Sequence, residues 1–137
     1  MRTRIYVTEE DMERLRRIVD GLRFSPEKAA TVALLEEELD RAEVVSPDAV
    51  PPDVVTMNSE VRLTDLDTGK VMVYRLVYPN TNPPGSADPV SVLAPLGMAL
   101  LGYRTGDVIE WPVPRGIRRL KILDVLYQPE SADPSAA

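Results

Sequence analysis

Across the segment Ser46-Pro47-Asp48-Ala49-Val50-Pro51-Pro52-Asp53 the spacing of apolar residues changes, and no regular element can run through it, because three prolines fall within six positions. Before it, apolar residues recur every three or four positions; after it, they recur every second position. A chain built this way is α+β, with a helical part followed by a β-sheet part. The sequence predicts a helical hairpin over residues 1–45, a stiff proline-rich linker over 46–53, a sheet domain over 54–128 and a flexible, polar tail over 129–137.

In the first part, Thr8 stands three positions before Asp11, and Glu9, Glu10 and Asp11 load the first turn with negative charge. This is a variant of the capping box and starts a helix. Met12, Leu15, Val19 and Leu22 follow at coiled-coil spacing, with Gly21 as the stop signal, so the first helix is expected over Glu9 to Leu22. Ser25-Pro26 reads as a second helix start. Val32, Leu35, Leu39 and Ala42 repeat the stripe, and Ala29 and Leu34 are expected to widen it. The two helices can then zip antiparallel across Arg23-Phe24-Ser25 as a short coiled coil. Helices of this length span only roughly 20–25 Å. Helices shorter than about 12–15 residues barely hold alone, so the hairpin should lean on the rest of the chain.

Beyond the prolines, Val54–Met57, Val61–Thr64 and Val71–Tyr78 read as strands, with Asp67-Thr68-Gly69-Lys70 as the turn of a β-hairpin. Residues 79–89 form a proline-rich surface loop. A short strand from Val90 leads into a brief helix that begins near Pro95 and is closed by Gly102. Thr105-Gly106-Asp107 turns the chain into Val108–Pro112, and Arg118–Tyr127 is a long last strand.

The chemistry is bounded by what is missing. With no histidine and no cysteine, thiolate nucleophiles, histidine bases, disulfides and ordinary zinc sites are excluded. A formal net charge of −6 argues against a phosphate-coating surface, so nucleic acid is expected to be reached only through a protein partner. Carboxylates are plentiful but badly placed for Mg²⁺. Glu36-Glu37-Glu38 point in different directions around a helix, and Asp65 and Asp67 suit the backbone bonding of a turn. Arg118, Arg119 and Lys121 read as protection of an edge strand rather than a phosphate patch. Tyr74, Tyr78, Tyr103, Trp111 and Tyr127 are too scattered for a base-stacking platform. No secretory signal and no membrane span is visible, so a cytoplasmic protein is expected. No catalytic residue, metal ligand or cofactor is expected.

The block Ala94-Pro95-Leu96-Gly97-Met98-Ala99-Leu100-Leu101-Gly102, followed by Gly106-Asp107 and preceded by a helical hairpin, resembles the Gre transcript-cleavage factors of bacteria. Ala94 stands where that family has serine. Asp53–Ser59, Leu76–Pro79 and Leu126–Glu130 resemble its short-hairpin Rnk branch, known as regulators of nucleoside diphosphate kinase, and the likeness covers nearly the whole chain. The resemblance implies an FKBP-like second domain that docks on RNA polymerase at the rim of its secondary channel, with Ala94, Pro95, Leu96, Gly97, Met98, Gly106 and Asp107 as contacts and Met98 on an exposed face. It implies a hairpin tip, Arg23, Phe24, Glu27 and Lys28, that points towards the channel. Gre factors help hold a catalytic Mg²⁺ with a spaced acidic pair on a much longer hairpin; this tip lacks the pair and offers only Glu27, with Asp20 below it. The expectation is a monomeric, non-catalytic regulator that competes with Gre factors. The alternatives are a protein-binding regulator of nucleoside diphosphate kinase levels and an FKBP-like prolyl isomerase or chaperone module, the last disfavoured by a single Phe and a single Trp.

Overall fold

The computed structural model describes residues 5–81, 87–114 and 116–129, with Trp111, Pro112 and Val113 described as backbone only. The tip of the proline-rich loop, the tail beyond Pro129 and the surroundings of the Trp111 ring lie outside the described residues.

The first helix, α1 (Glu9–Leu22), begins as its sequence predicts: Thr8 is its N-cap, and the Thr8 hydroxyl accepts from the Asp11 amide at 3.2 Å. Its predicted glycine stop is not used, because Gly21 lies within the helix and the cap is Arg23 in right-handed helical conformation. The second helix, α2 (Ala29–Arg41), starts later than Ser25-Pro26 suggests. Ser25 provides no side-chain cap; its carbonyl accepts from Lys28 and Ala29 in a tight turn that delays the helix. Leu15, Val19, Val32, Leu35 and Leu39 are buried between and beneath the helices. Ion pairs Arg16–Asp40 (3.0 Å) and Arg23–Glu36 (2.8 Å) run in opposite order along the two helices, as antiparallel packing requires. Ala29 and Leu34 do not widen the buried stripe: both are exposed, Leu34 by 56%.

Both ends of the hairpin are tied by a ribbon that the periodicity did not reveal. β1 (Tyr6–Thr8) and β2 (Glu43–Val45) pair in parallel, with the Glu43 amide donating to the Ile5 carbonyl at 2.8 Å. Three-residue strands are too short for an alternation to register. The chain then makes a 3₁₀ turn, Pro47–Ala49, and buries Val50.

The main sheet has the order β5-β4-β3-β7-β6, formed by β3 (Glu60–Asp65), β4 (Val71–Val77), β5 (Asp88–Ser91), β6 (Val108–Val113) and β7 (Gly116–Tyr127). Every pairing is antiparallel except β4 with β5. Between β5 and β6 lies the short helix α3 (Pro95–Leu100), ended by Gly102 at φ 84°. Two expectations fail here. Residues 54–57 are not a strand: Val54 makes one isolated bridge to Arg104, and the chain turns at Asn58 with φ 66°. The last strand is not at an edge, since β7 lies between β3 and β6, so Arg118 and Arg119 have no edge to guard. They clamp the β3–β4 turn instead, through Arg118–Asp65 (3.0 Å) and Arg119–Asp67 (2.8 Å). Val61, Leu63, Leu76 and Ile122 of the sheet belong to the same hydrophobic core as the hairpin leucines. This continuity compensates for two helices too short to be stable alone.

Candidate protein-docking site

The residues singled out from the sequence separate into floor, rim and scaffold. Ala94 is the N-cap of α3, and Pro95 occupies the first helical turn, where its missing amide costs nothing. Pro95 is exposed and Leu96 half-buried. Gly97 and Met98 are buried. Gly97 is there because α3 crosses the end of β5 at backbone contact: a Cβ built on it would lie 1.9 Å from the Ser91 carbonyl oxygen. Met98, 9% exposed, is therefore not on an exposed face but beneath it. Gly106 and Asp107 stand apart from this helix as a turn into β6. Gly106 has φ 94° and donates to Ile122, while the Asp107 carboxylate accepts from the Arg104 amide at 2.9 Å.

What α3 does form, together with α2, is an apolar groove of about 280 Å³. Leu93, Pro95, Met98 and Ala99 line one side; Thr31, Leu34, Glu37 and Glu38 line the other. The α2 wall went unnoticed in the sequence. Its signal was Leu34, a leucine displaced from the Val32, Leu35, Leu39 stripe, where a large apolar side chain has no core to enter.

At the other end of the hairpin, Phe24 is 89% exposed, and Glu27 and Lys28 are exposed beside it. Arg23 is fixed, donating to Asp20 at 3.1 Å and to Glu36 at 2.8 Å, and the Glu36 hydrogen bond foremost holds its guanidinium protonated well above the usual range. Asp20 is thus engaged in an ion pair rather than presented at the apex. Among the described residues no three carboxylates converge on a point where a cation could be held.

The hairpin is locked to the sheet by a polar contact. The Tyr78 hydroxyl donates to Asp11 Oδ1 at 2.7 Å, and the Arg14 guanidinium lies 3.8 Å from the centre of the Tyr78 ring. Burial pushes the Asp11 carboxyl above its ordinary range, against the opposing pull of the Tyr78 hydroxyl; burial and then Asp11 push the Tyr78 phenol up. In the β3–β4 turn the reverse holds. Asp65 accepts from the Asp67 and Thr68 amides and from Arg118, and these bonds, the Asp67 amide first, hold its carboxyl below the usual range.

Residues 50–127 match the family model for the C-terminal part of the transcription elongation factors GreA and GreB, and residues 3–45 match that for the Rnk N-terminus. The chain belongs to the GreA/GreB family. Within that family it is 42% identical over 132 residues to the regulator of nucleoside diphosphate kinase of Escherichia coli K12, covering 96% of this chain and 95% of that one. It is 36% identical over 95 residues to transcription elongation factor GreA of Clostridium botulinum, where the match covers 66% of this chain and 56% of the relative. A solved structure described as a prokaryotic transcription elongation factor GreA/GreB from Nitrosomonas europaea superposes with a TM-score of 0.75 at 42% identity, over 92% of this chain and 100% of that one. In this Gre-family chain the segments that carried the resemblance meet in space. The Gln128 side chain, buried, donates to the carbonyls of Pro51 (2.8 Å) and Val54 (2.7 Å), and Arg104 pairs with Asp53 at 3.1 Å. The Gln128 bonds join the start of the GreA/GreB-type part to the end of its last strand, and the Arg104–Asp53 pair ties that start to the turn before β6. Among the described residues no helix is long and apolar enough to cross a membrane.

Proposed function

We propose that this chain is a regulator that binds RNA polymerase at the entrance of the secondary channel, competes there with Gre-type cleavage factors and does not itself stimulate transcript cleavage. In this reading the FKBP-like sheet unit, residues 54–128, docks, the hairpin of residues 1–45 points towards the channel, and residues 46–53 connect them. The observation that supports it is the hairpin: helices of 14 and 13 residues reach only about 20 Å at 1.5 Å per residue. The tip ends in Phe24, with Asp20 and Glu36 both engaged by Arg23. Such a tip can occupy space but carries no paired carboxylates to a distant Mg²⁺. The docking contacts in this reading are Ala94, Pro95 and Leu96, with Gly97 and Met98 supporting them from below and the Gly106-Asp107 turn fixing the following strand.

The test adds the protein to backtracked elongation complexes. Expected is no cleavage above background, together with a dose-dependent loss of cleavage by an added Gre factor. Strong cleavage by the protein alone would overturn the reading. A second reading, direct binding to nucleoside diphosphate kinase, is favoured by the name of the 42% identical relative. Co-purification with the kinase and not with polymerase would select it.

A further inference from the structure

Two rows of residues on α2 have the spacing of a helical seam. The inner row, Val32, Leu35, Leu39 and Ala42, packs into the core of the hairpin. The outer row is Glu27, Ala30, Leu34, Glu37 and Arg41, which follow one another at spacings of three, four, three and four and are all exposed. Glu27 stands in the turn that leads into α2, where the Ala29 amide donates to the Ser25 carbonyl at 2.9 Å in helical fashion, so it continues the row. Leu34, 56% exposed, is the large apolar residue at its middle. The row also complements itself. Turned end for end about Leu34, it sets Leu34 on Leu34, Ala30 beside Glu37, and Glu27 on Arg41, an acidic residue against a basic one at both ends.

We infer that α2 pairs antiparallel with α2 of a second copy of this chain, so that two hairpins form a four-helix bundle about a two-fold axis at Leu34. The charge pattern selects this occupant. A two-fold contact needs a surface that matches itself when inverted, and an acidic start and a basic end on one row meet that need only in the antiparallel sense; a parallel pair would set Glu27 on Glu27 and Arg41 on Arg41. Arg41 already donates to Glu38 on its own helix at 2.6 Å and has further N–H groups for the second copy's Glu27. Leu34 gains from the opposite Leu34 the burial that its own chain does not give it. The contact runs roughly 21 Å, from residue 27 to residue 41 at 1.5 Å per residue, and is one helix wide. So narrow an interface belongs with weak associations, with a dissociation constant on the order of tens of micromolar. The monomer expected from the sequence is then the dilute form. The inference is independent of the polymerase-binding reading above.

The test is sedimentation equilibrium of the full chain from about 5 to about 500 μM. The average mass should rise from 15.2 kDa towards twice that value. Leu34→Asp, which sets two carboxylates face to face at the axis, should weaken association about tenfold or more. Glu27→Arg and Arg41→Glu, each of which makes both end contacts repulsive, should weaken it about three- to tenfold, and the protein carrying both changes should associate as the parent does. That recovery cannot arise within one chain, because positions 27 and 41 are three to four helical turns apart. Ile117→Asp, at an apolar position 60% exposed on β7, should leave association unchanged. All the altered residues are exposed, so unfolding midpoints should stay within a few degrees of the parent. A parent that remains at 15.2 kDa up to the highest concentration would overturn the inference. So would a parent that dimerises equally well with Leu34→Asp, or a double charge variant that associates no better than the single ones.

Discussion

Replacing glycine by alanine at two positions should move stability in opposite directions, and the geometry sets both magnitudes. At Gly97 an added Cβ would lie 1.9 Å from the Ser91 oxygen, 2.7 Å from the Ser91 carbonyl carbon and 3.1 Å from Val92 Cα, whereas real Cβ atoms essentially never come within 3.0 Å of such a neighbour. The deficit is more than 1 Å, and every opposing atom is backbone. Ser91 cannot retreat cheaply: it pairs with Val77 in the parallel β4–β5 ladder, its oxygen accepts from the Ala94 amide at 2.9 Å, and the next amide, Val92, donates to Val77 at 2.9 Å. The helix must therefore move, and with it the wall of the groove. Overpacking against side chains that can rotate costs about 1–3 kcal/mol, so a clash with a pinned backbone should cost about 3 kcal/mol or more. For a chain of this size that is a fall of roughly 10–15 °C in melting temperature. Gly21 has ordinary helical backbone and nothing within 4 Å of its Cβ position, so Gly21→Ala should stabilise by about 0.5–1 kcal/mol, the difference in helix propensity. Urea unfolding followed by circular dichroism measures both. A Gly97→Ala protein within about 0.5 kcal/mol of the parent would refute the close crossing of α3 over β5.

Two further perturbations probe the polar contacts. Tyr78→Phe keeps the ring beneath Arg14 but removes the hydroxyl from Asp11; since Asp11 is only partly buried, the lower part of the range for bonds to charged groups applies, a loss of about 1.5–2 kcal/mol. The same change made beside Asp11→Asn should cost less than half as much, and a double-mutant cycle without coupling would show that this bond does not tie hairpin to sheet. For Asp65 the folded carboxyl titrates below its ordinary value near 3.8, so its contribution to stability is present above that pH and disappears as the pH falls through the lowered value. The parent should therefore lose its stability advantage over Asp65→Asn on acidification below about pH 4, and parallel stability curves for the two proteins would contradict the Asp65 turn as drawn.

Most of the helical hairpin was legible because its signals are local. The Thr8 cap and the Leu15, Val19, Val32, Leu35, Leu39 stripe act within a turn or two of helix, and the structure places them as the spacing predicts. The β3–β4 hairpin was legible for the same reason: Gly69 meets the positive φ that its turn needs. The signals failed where a residue's role depends on distant partners. Arg118 and Arg119 look like edge guards until β6 is found outside β7, and Val54–Met57 looks like a strand although its neighbours offer it a single bridge. Nothing local to the Gly97-Met98 pair tells which of them faces outwards; both are buried, and at Gly97 the reason is that α3 crosses β5 at backbone contact.

By itself, then, the chain's pattern of apolar residues and prolines determined that helices come first and a sheet second, that both helices are short, and that no histidine or cysteine chemistry is possible. These are properties of periodicity, length and composition, which need no knowledge of what packs on what. Only the tertiary structure decided that hairpin and sheet share one core, that the tip carboxylate Asp20 is held by Arg23, and that α2 and α3 enclose a groove between them. The physical reason is that a groove is made of two surfaces. Leu34 and Pro95 are 61 positions apart in the chain, and no local spacing rule reports on a pair that meets only when the sheet has folded beneath the hairpin.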